Sequence, residues 1–253
     1  MRYSFVCKKS AESEKIKAQI IEKIKGSYDQ KNPKVVFSIG GDGTVLDAVR
    51  KYLQIIDDIY IVAINTGSLG FYTEFLPENV DELINTLTEK KTFNSYPLLE
   101  IEANGEKEYA LNEVTLSVHH HLFKGSVFID EIFLMDVRAN GICISTPSGS
   151  TAYNKSIGGA IMDTSVKAFQ LALIAPFQTA NQKMISPIVL SLGQEITIVP
   201  QNKYLDLTFD RVFISSENIA EIKVRLTNKT VKFLKNKGIK FAKRVNEKFI
   251  GKE

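Results

Sequence analysis

One carboxylate set among glycines is the first place where residue type and spacing in this chain could do chemistry. Val35-Val36-Phe37-Ser38-Ile39 is an apolar, β-branched run, and Gly40-Gly41-Asp42-Gly43-Thr44 follows it directly. The run has the composition of a buried strand. Glycines at its end let the backbone turn sharply and come close to a ligand, because no Cβ stands in the way. A helix after them would aim free N–H groups and a positive dipole end at the turn, which suits a phosphate. Asp42 is at odds with that ligand, since a carboxylate repels phosphate; it points to a metal ion or to a proton to be taken. No Lys follows the glycines, so this is not the Lys-bearing phosphate loop of the P-loop enzymes. The plainer alternative is a tight strand-to-helix turn with Asp42 as its local cap.

Two further groups could carry chemistry. From Arg138 to Ala160, hydroxyls, small residues and glycines crowd beyond what a connector requires: Ser145-Thr146-Pro147-Ser148-Gly149-Ser150-Thr151-Ala152-Tyr153-Asn154-Lys155-Ser156 is the densest part. A loop of this kind offers backbone and hydroxyl hydrogen bonds to a polar ligand, with Tyr153 able to stack on a flat base. Long loops inside compact domains are usually functional; otherwise this one is a Ser/Thr-rich surface segment. Asn112-Glu113 lies on an otherwise apolar strand-like run, and such a pair also fits an exposed strand face.

The elements that must position these groups change in character along the chain. Tyr3 to Cys7 reads as a strand, and Ser10 as the cap of a helix with Glu12 and Glu14 in its first turn. Ile16, Ile20, Ile21 and Ile24 give that helix an apolar face, and Gly26 is its expected stop. After the Gly-Asp turn a helix is expected from about Val45 to Leu53, then a strand over Ile59 to Ile64 closing at the second Gly-rich loop, Asn65 to Gly70. Val80, Leu83, Ile84 and Leu87 repeat at helical spacing after Pro77. Strands alternating with helices predict parallel α/β packing, with ligands at the carboxyl ends of the strands where both Gly-rich loops fall.

Beyond Tyr96-Pro97 short strands dominate: Leu98 to Ala103, Glu108 to Ser117, Ser126 to Asp130, Ile132 to Val137 and Ile142 to Thr146. Ile188 to Leu192, Ile196 to Val199, Leu205 to Phe209, Val212 to Ser215, Ala220 to Leu226 and Val231 to Leu234 follow. The expected fold class is therefore an α/β N-terminal domain with a Rossmann-like parallel sheet and a C-terminal β-rich, β-sandwich-like domain. One helix is expected to interrupt the strands, from about Ser165 to Leu173. A last amphipathic helix is expected where Phe241, Val245 and Phe249 recur at every fourth position. The expected domains are 1–97 with 237–253, and 98–236.

Composition narrows the class. The 253 residues are 44% hydrophobic and 24% charged with a net charge of +3, ordinary values for a soluble globular protein. Lysines are spread through the chain, so the balance argues for no nucleic-acid partner. The first residues turn polar too soon for a signal peptide and no apolar run approaches a membrane span, so a cytoplasmic protein without a membrane partner is expected. Cys7 and Cys143 lie far apart in apolar runs and read as buried free thiols of a reducing compartment. His119-His120-His121 invites a metal reading, but neighbours on a strand point to opposite faces and cannot readily chelate one ion, so no metal site of the chain's own is expected. The Lys-rich segment from Lys232 to Lys252 interleaves with an apolar face and reads as a docked helix with a solvated side.

Taken together, Gly40-Gly41-Asp42-Gly43-Thr44, Asn112-Glu113 and Ser145-Thr146-Pro147-Ser148-Gly149-Ser150-Thr151-Ala152-Tyr153, in this order and spacing, resemble the NAD kinase family. The resemblance covers nearly the whole chain. The Gly-Gly-Asp-Gly turn is shared with diacylglycerol and sphingosine kinases and, in variant form, with phosphofructokinases; the Ser/Thr loop is the selective part. The resemblance implies transfer of the γ-phosphate of ATP, with Mg²⁺ or another divalent cation, to the 2′-hydroxyl of the adenosine ribose of NAD. It implies a final segment that returns to the first domain, and a homodimer or homotetramer with sites shared between domains and neighbouring subunits.

By the same resemblance Asp42 is the general base, and Gly41, Gly43 and Thr44 belong to the loop that holds phosphates. Asn112 corresponds to an adenine-binding residue and Glu113 to one that binds a ribose hydroxyl. Thr151, Ala152 and Tyr153 form the adenine-side wall, with Asn154, Lys155 and Ser156 completing that stretch. Arg138, Asn140 and Ala175 match positions around the other nucleoside, partly reached from a neighbouring subunit. Asn140 departs from the Asp usual in the family, keeping the hydrogen-bonding shape and losing the charge, and Asn140-Gly141 reads equally as a type I′ hairpin turn. Ser148 replaces a more usual Thr, and Ala160 stands where Pro is common. A lipid kinase of the diacylglycerol type and a non-catalytic NAD-binding sensor are the competing readings: the first lacks a use for the Ser/Thr loop, the second for Asp42.

Overall fold

A computed structural model describes residues 1–67, 70–89, 91–177, 185–236 and 240–251. Two compact units emerge, Met1–Ser95 together with the chain from Thr230 onward, and Tyr96–Lys229.

The first unit alternates strand and helix. β1 (Arg2–Cys7), the short β2 (Ser27–Tyr28), β3 (Val35–Ile39) and β4 (Tyr60–Ile64) form a parallel sheet in the order β2-β1-β3-β4. α1 (Ala11–Lys23) begins at Ser10, whose hydroxyl accepts the Ser13 N–H at 3.2 Å, so the expected cap is in place. Ile16 and Ile20 are buried, but Ile21 is 47% exposed and does not join the apolar face. Gly26 is not the helix stop: α1 ends in an extended Ile24, and a Cβ on Gly26 would stand 2.1 Å from the Met1 carbonyl oxygen, so the glycine serves a close chain approach. α2 (Asp42–Lys51) starts three residues before the expected Val45, which makes Asp42 its first residue. α3 (Val80–Thr88) follows a 3₁₀ turn at Pro77–Asn79, as the spacing of Val80, Leu83 and Leu87 predicts. Val35, Phe37, Ile39, Val62, Ile64, Ile16, Ile20 and Leu83 fill this unit's core. Cys7 is only half-buried, whereas Cys143 is fully enclosed.

The second unit is antiparallel. Its strands are β5 (Phe93–Ala103), whose first residues up to Ser95 belong to the first unit, β6 (Glu106–Ala110), β7 (Glu113–Ser117), β8 (Phe123–Ile129), β9 (Ile132–Ser145), β10 (Ala168–Pro176) and β11 (Ile188–Ser191). β12 (Glu195–Pro200), β13 (Tyr204–Phe209), β14 (Val212–Glu217) and β15 (Ile222–Leu234), whose last residues belong to the first unit, complete it. β9 organises it: its first half pairs with β8, its second half with β7 and β10. On β7, Val114 and Leu116 point into the core while Glu113, Thr115 and Ser117 occupy the other face.

Four expectations fail here. The helix expected over Ser165 to Leu173 is strand β10, held between β9 and β11. Asn140-Gly141 is not a hairpin turn: β9 runs straight through it, and a Cβ on Gly141 would lie 2.3 Å from the Leu116 carbonyl oxygen. The single strand expected over Glu108 to Ser117 breaks at Leu111-Asn112 into β6 and β7. The stretch read as one long loop from Arg138 likewise stays in β9 up to Ser145 before it turns. α4 (Tyr153–Ser156) follows a 3₁₀ turn at Gly149–Thr151, and α5 (Phe241–Val245) continues into a π-helical turn, Asn246–Ile250, where the last helix is expected.

Candidate active site

In the first unit the site is built on the strand-to-helix turn after β3. Gly41 caps α2 without a side-chain bond, and Asp42 does not act as a local cap either. Its carboxylate reaches sideways: Oδ2 accepts the Phe71 N–H at 2.9 Å and Oδ1 the Tyr72 N–H at 3.1 Å. The approach needs a glycine, because a Cβ on Gly70 would stand 2.3 Å from Asp42 Oδ1. Gly40 sits behind the turn at φ +157° with Thr44 Oγ1 packed where a Cβ would be. Gly41, Gly43 and Thr44 are all partly exposed around the first turn of α2, where the Thr44 N–H donates to the Gly41 carbonyl at 2.9 Å and no side chain caps the helix. In the second Gly-rich loop, Ser68 and Leu69 lie outside the described residues; Asn65 bonds both ways with Gly67.

In the second unit the break between β6 and β7 is the centre. Asp210, at the β13–β14 turn with φ 49°, accepts the N–H groups of Leu111 (2.8 Å) and Asn112 (2.7 Å). Thr146 and Ser148 both donate their hydroxyls to the Leu111 carbonyl, and the Thr146 N–H donates to the Asn112 carbonyl at 2.9 Å. Gly149 packs so tightly against Asn112 that a Cβ would lie 2.0 Å from its carbonyl oxygen. The Ser/Thr loop is thus locked onto the backbone that presents Asn112 and Glu113.

Glu113 is largely buried, and burial pushes its carboxyl up to about 8, with Asp210 raising it further and the Tyr153 N–H pulling the other way. Its Oε2 has no hydrogen-bond partner among the described residues, and neither has the buried hydroxyl of Ser145, the residue paired with Glu113 across the ladder. An orphaned carboxyl oxygen in a protein interior is costly unless a ligand or water meets it. Glu113 opens onto a cleft of about 420 Å³ lined also by Thr115, Ser117, Asn140, Tyr153, Ile174 and Thr208. Tyr153 is 43% exposed and lines the same cleft.

The structure therefore brings Glu113, Asn140 and Tyr153 to one cleft. Thr151 and Asn154 are buried inside the loop: Thr151 donates to the Ser148 carbonyl, and Asn154 donates to the carbonyls of Ser150 and Ala160. Ala152 is partly buried, Lys155 and Ser156 exposed. Arg138 and Ala175 are exposed at neighbouring positions of β9 and β10, outside the cleft lining. Ala175 holds an unusual φ of 42° between the pairs Ile174–Gly141 and Pro176–Ala139, which puts it across from Asn140. Sequence reasoning missed Asp210 and the amides of Phe71 and Tyr72. Gly70 was the available signal for the amides; Asp210 acts across about a hundred residues of chain, which no local pattern reveals.

Comparison with known proteins gives two family matches, the ATP-NAD kinase N-terminal domain over residues 2–92 and the ATP-NAD kinase C-terminal domain over 111–235. The chain is 36% identical to the NAD kinase of Staphylococcus epidermidis over 270 aligned positions, covering 100% of this chain and 99% of that protein. It is 35% identical to the NAD kinase of Lactobacillus gasseri, covering 92% and 90%. Among solved structures, an NAD kinase from Archaeoglobus fulgidus in complex with ATP has the same fold, with a TM-score of 0.80, 23% identity and 94% of each chain covered. Yeast NADH kinase complexed with NADH superposes with a TM-score of 0.81 at 18% identity, covering 98% of this chain and 87% of that one.

Proposed function

The chain belongs to the NAD kinase family, and on that premise we propose that it is an ATP-dependent kinase that phosphorylates the 2′-hydroxyl of the adenosine ribose of NAD to give NADP. The observation that carries this reading is the pairing of family matches with intact chemistry in each: Asp42 in the first unit, Glu113 with the Ser/Thr loop in the second.

A ribose hydroxyl is a poor nucleophile in water, and a fixed carboxylate helps it attack by taking its proton as the phosphoryl group transfers. Asp42 fits that role because its carboxylate is oriented by two backbone N–H groups and is not consumed in capping its own helix. Gly41, Gly43 and Thr44 hold phosphate oxygens at the first turn of α2, which no side chain caps. Glu113 meets a ribose hydroxyl, which would satisfy its orphaned oxygen, and Asn112 with Thr151, Ala152 and Tyr153 forms the adenine side. Asn154, Lys155 and Ser156 complete that loop, while Arg138, Asn140 and Ala175 serve the second nucleoside in a homodimer or homotetramer. No group of three or more His, Cys, Asp or Glu able to hold a metal occurs among the described residues. Mg²⁺ keeps several waters and binds through phosphate oxygens with one or two carboxylates, so a cation carried by ATP fits this donor set and supplies charge neutralisation there. No helix among the described residues is long and apolar enough to cross a membrane, and the cytoplasm is the compartment we assign.

The deciding assay mixes purified protein with NAD, ATP and Mg²⁺ and follows NADP with a strictly NADP-dependent dehydrogenase. NADP formation above background is expected. Its absence would remove the kinase reading and leave a binding protein; phosphorylation of diacylglycerol instead would favour the lipid-kinase alternative.

A further inference from the structure

The residue that most contradicts its own sequence context is Arg244. It sits in the Lys-rich terminal segment, where a solvated basic face is expected, yet only 4% of it is exposed. Its Nη1 shares two N–H bonds among the carbonyl oxygens of Gly70 (2.9 Å), Phe71 (3.0 Å) and Thr73 (2.7 Å). Its Nη2 lies 2.9 Å from Glu74 Oε1, and that carboxylate, itself buried, also accepts a bond from Asn94 at 3.0 Å. These partners lie about 170 residues away in sequence.

Two of these carbonyls matter beyond local packing. The Gly70 carbonyl and the Phe71 N–H belong to one planar peptide group, and so do the Phe71 carbonyl and the Tyr72 N–H. The N–H ends of the same two groups are the donors to Asp42, at 2.9 and 3.1 Å. Two consecutive peptide planes are therefore held at one end by a guanidinium and at the other by the carboxylate of Asp42. A rigid plane fixed at its carbonyl has its N–H direction fixed too, and a cation on the carbonyl polarises the group so that its N–H becomes a better donor. Stacking of Phe71 on Phe249, with centroids 5.5 Å apart, ties the same loop to the same terminal segment.

We propose that Arg244 is a positioning residue for Asp42, acting through the peptide groups Gly70–Phe71 and Phe71–Tyr72. This rests on the reading of Asp42 as the base, and goes beyond it by assigning a catalytic contribution to the terminal helix. A buried arginine with a carboxylate partner has a plain structural use as well, so the test must separate the two. Arg244→Gln alone would strand Glu74, so the variant is Arg244→Gln with Glu74→Gln, compared with Arg244→Lys, which keeps the charge but cannot span the same carbonyls. Three quantities are read on the full chain: kcat and KM for NAD, hydrogen exchange at the Phe71 and Tyr72 amides, and the effect of the same change in an Asp42→Asn background. The expected result for the double variant is a folded protein with kcat lower by roughly tenfold to hundredfold and KM for NAD within about threefold. Its Phe71 and Tyr72 amides exchange faster, Arg244→Lys restores only part of the rate, and the effect on kcat disappears once Asp42 is Asn. An unchanged kcat in the folded variant, a lower kcat with both amides still protected, or an equal loss in the Asp42→Asn background would each overturn the proposal. Near-normal turnover of Asp42→Asn alone would instead overturn the reading of Asp42, and would be seen before Arg244 is touched.

Discussion

Asp42 and Glu113 are both carboxyl groups at the start of a secondary-structure element, and the chain treats them in opposite ways. Each oxygen of Asp42 receives one backbone N–H, at 2.9 and 3.1 Å, and the group stays partly open to solvent. Glu113 has a single backbone donor, Tyr153, one orphaned oxygen and a second carboxylate, Asp210, close enough to raise its affinity for a proton. The number of backbone donors and the depth of burial make the difference. Asp42 is arranged as an acceptor whose direction is fixed in advance. Glu113 is held so that its ionised form is poorly supported until something else enters the cleft.

The largest test of that contrast is Asp42→Asn. The amide keeps the size of the side chain but cannot take a proton, so turnover should fall by roughly 10²- to 10⁴-fold. Binding of NAD, measured by calorimetry, should stay within a factor of a few, since the residues proposed to recognise NAD are others. Near-normal turnover would mean that the two carboxyl groups do not differ in function as they do in environment.

Next in size is a pair of glycine substitutions. A Cβ on Gly149 would stand 2.0 Å from the Asn112 carbonyl oxygen, whereas one on Gly41 would meet nothing within 4 Å. Gly149→Ala must push apart the loop and the strand end that presents Glu113, and should cost about 1–3 kcal/mol of stability in urea or thermal unfolding. Gly41→Ala should stay within about 0.5 kcal/mol. Equal effects at both positions would show that the Ser/Thr loop is not locked as tightly as its contacts require.

These contacts also mark where the sequence stopped being informative. Most of the first unit is legible because its longer elements announce themselves locally, down to Ser10 as a cap and the period of α3, whereas the two-residue β2 carries no such signal. β10 resembles a helix in sequence because Ala168-Phe169-Gln170-Leu171-Ala172-Leu173-Ile174 is mostly apolar without alternation, and a strand buried on both sides carries no period of two. The glycine of Asn140-Gly141 looked like a turn because a glycine's reason cannot be read from its identity; here it admits the Leu116 carbonyl from the neighbouring strand. Within the candidate site, Asp42, Glu113 and Tyr153 were visible as residue types out of place. Asp210 and Arg244 were not, because each satisfies backbone groups far away in sequence and neither belongs to a local pattern.

A third test uses the proton on Glu113. Burial raises its carboxyl from the ordinary carboxylate range to about 8 in the folded chain. A group whose affinity for protons is higher folded than unfolded favours the folded state at low pH, and that advantage is lost as pH rises towards its folded value. Relative to Glu113→Gln, the wild-type chain should therefore lose stability between about pH 4.5 and pH 8, by up to about 1.4 kcal/mol per pH unit. Above about pH 8 the difference should level off. Urea unfolding of both proteins across that range reads the effect, and a difference independent of pH would show that Glu113 is not buried against its own charge.

The smallest expected effect separates the ring of Tyr153 from its backbone. The N–H of Tyr153 supports Glu113, while the residue is 43% exposed and lines the cleft. Tyr153→Leu leaves the N–H in place and removes only the aromatic face. An aromatic contact of this kind is worth about 0.5–1.5 kcal/mol, so KM for NAD should rise roughly two- to tenfold with little change in kcat or stability. Such a result would assign the ring to recognition of the flat base and leave proton chemistry to the carboxyl groups. A fall in kcat at constant KM would mean the opposite: that the ring orders the loop whose amide supports Glu113, and that recognition in this cleft depends on the carboxyl group more than on the aromatic surface above it.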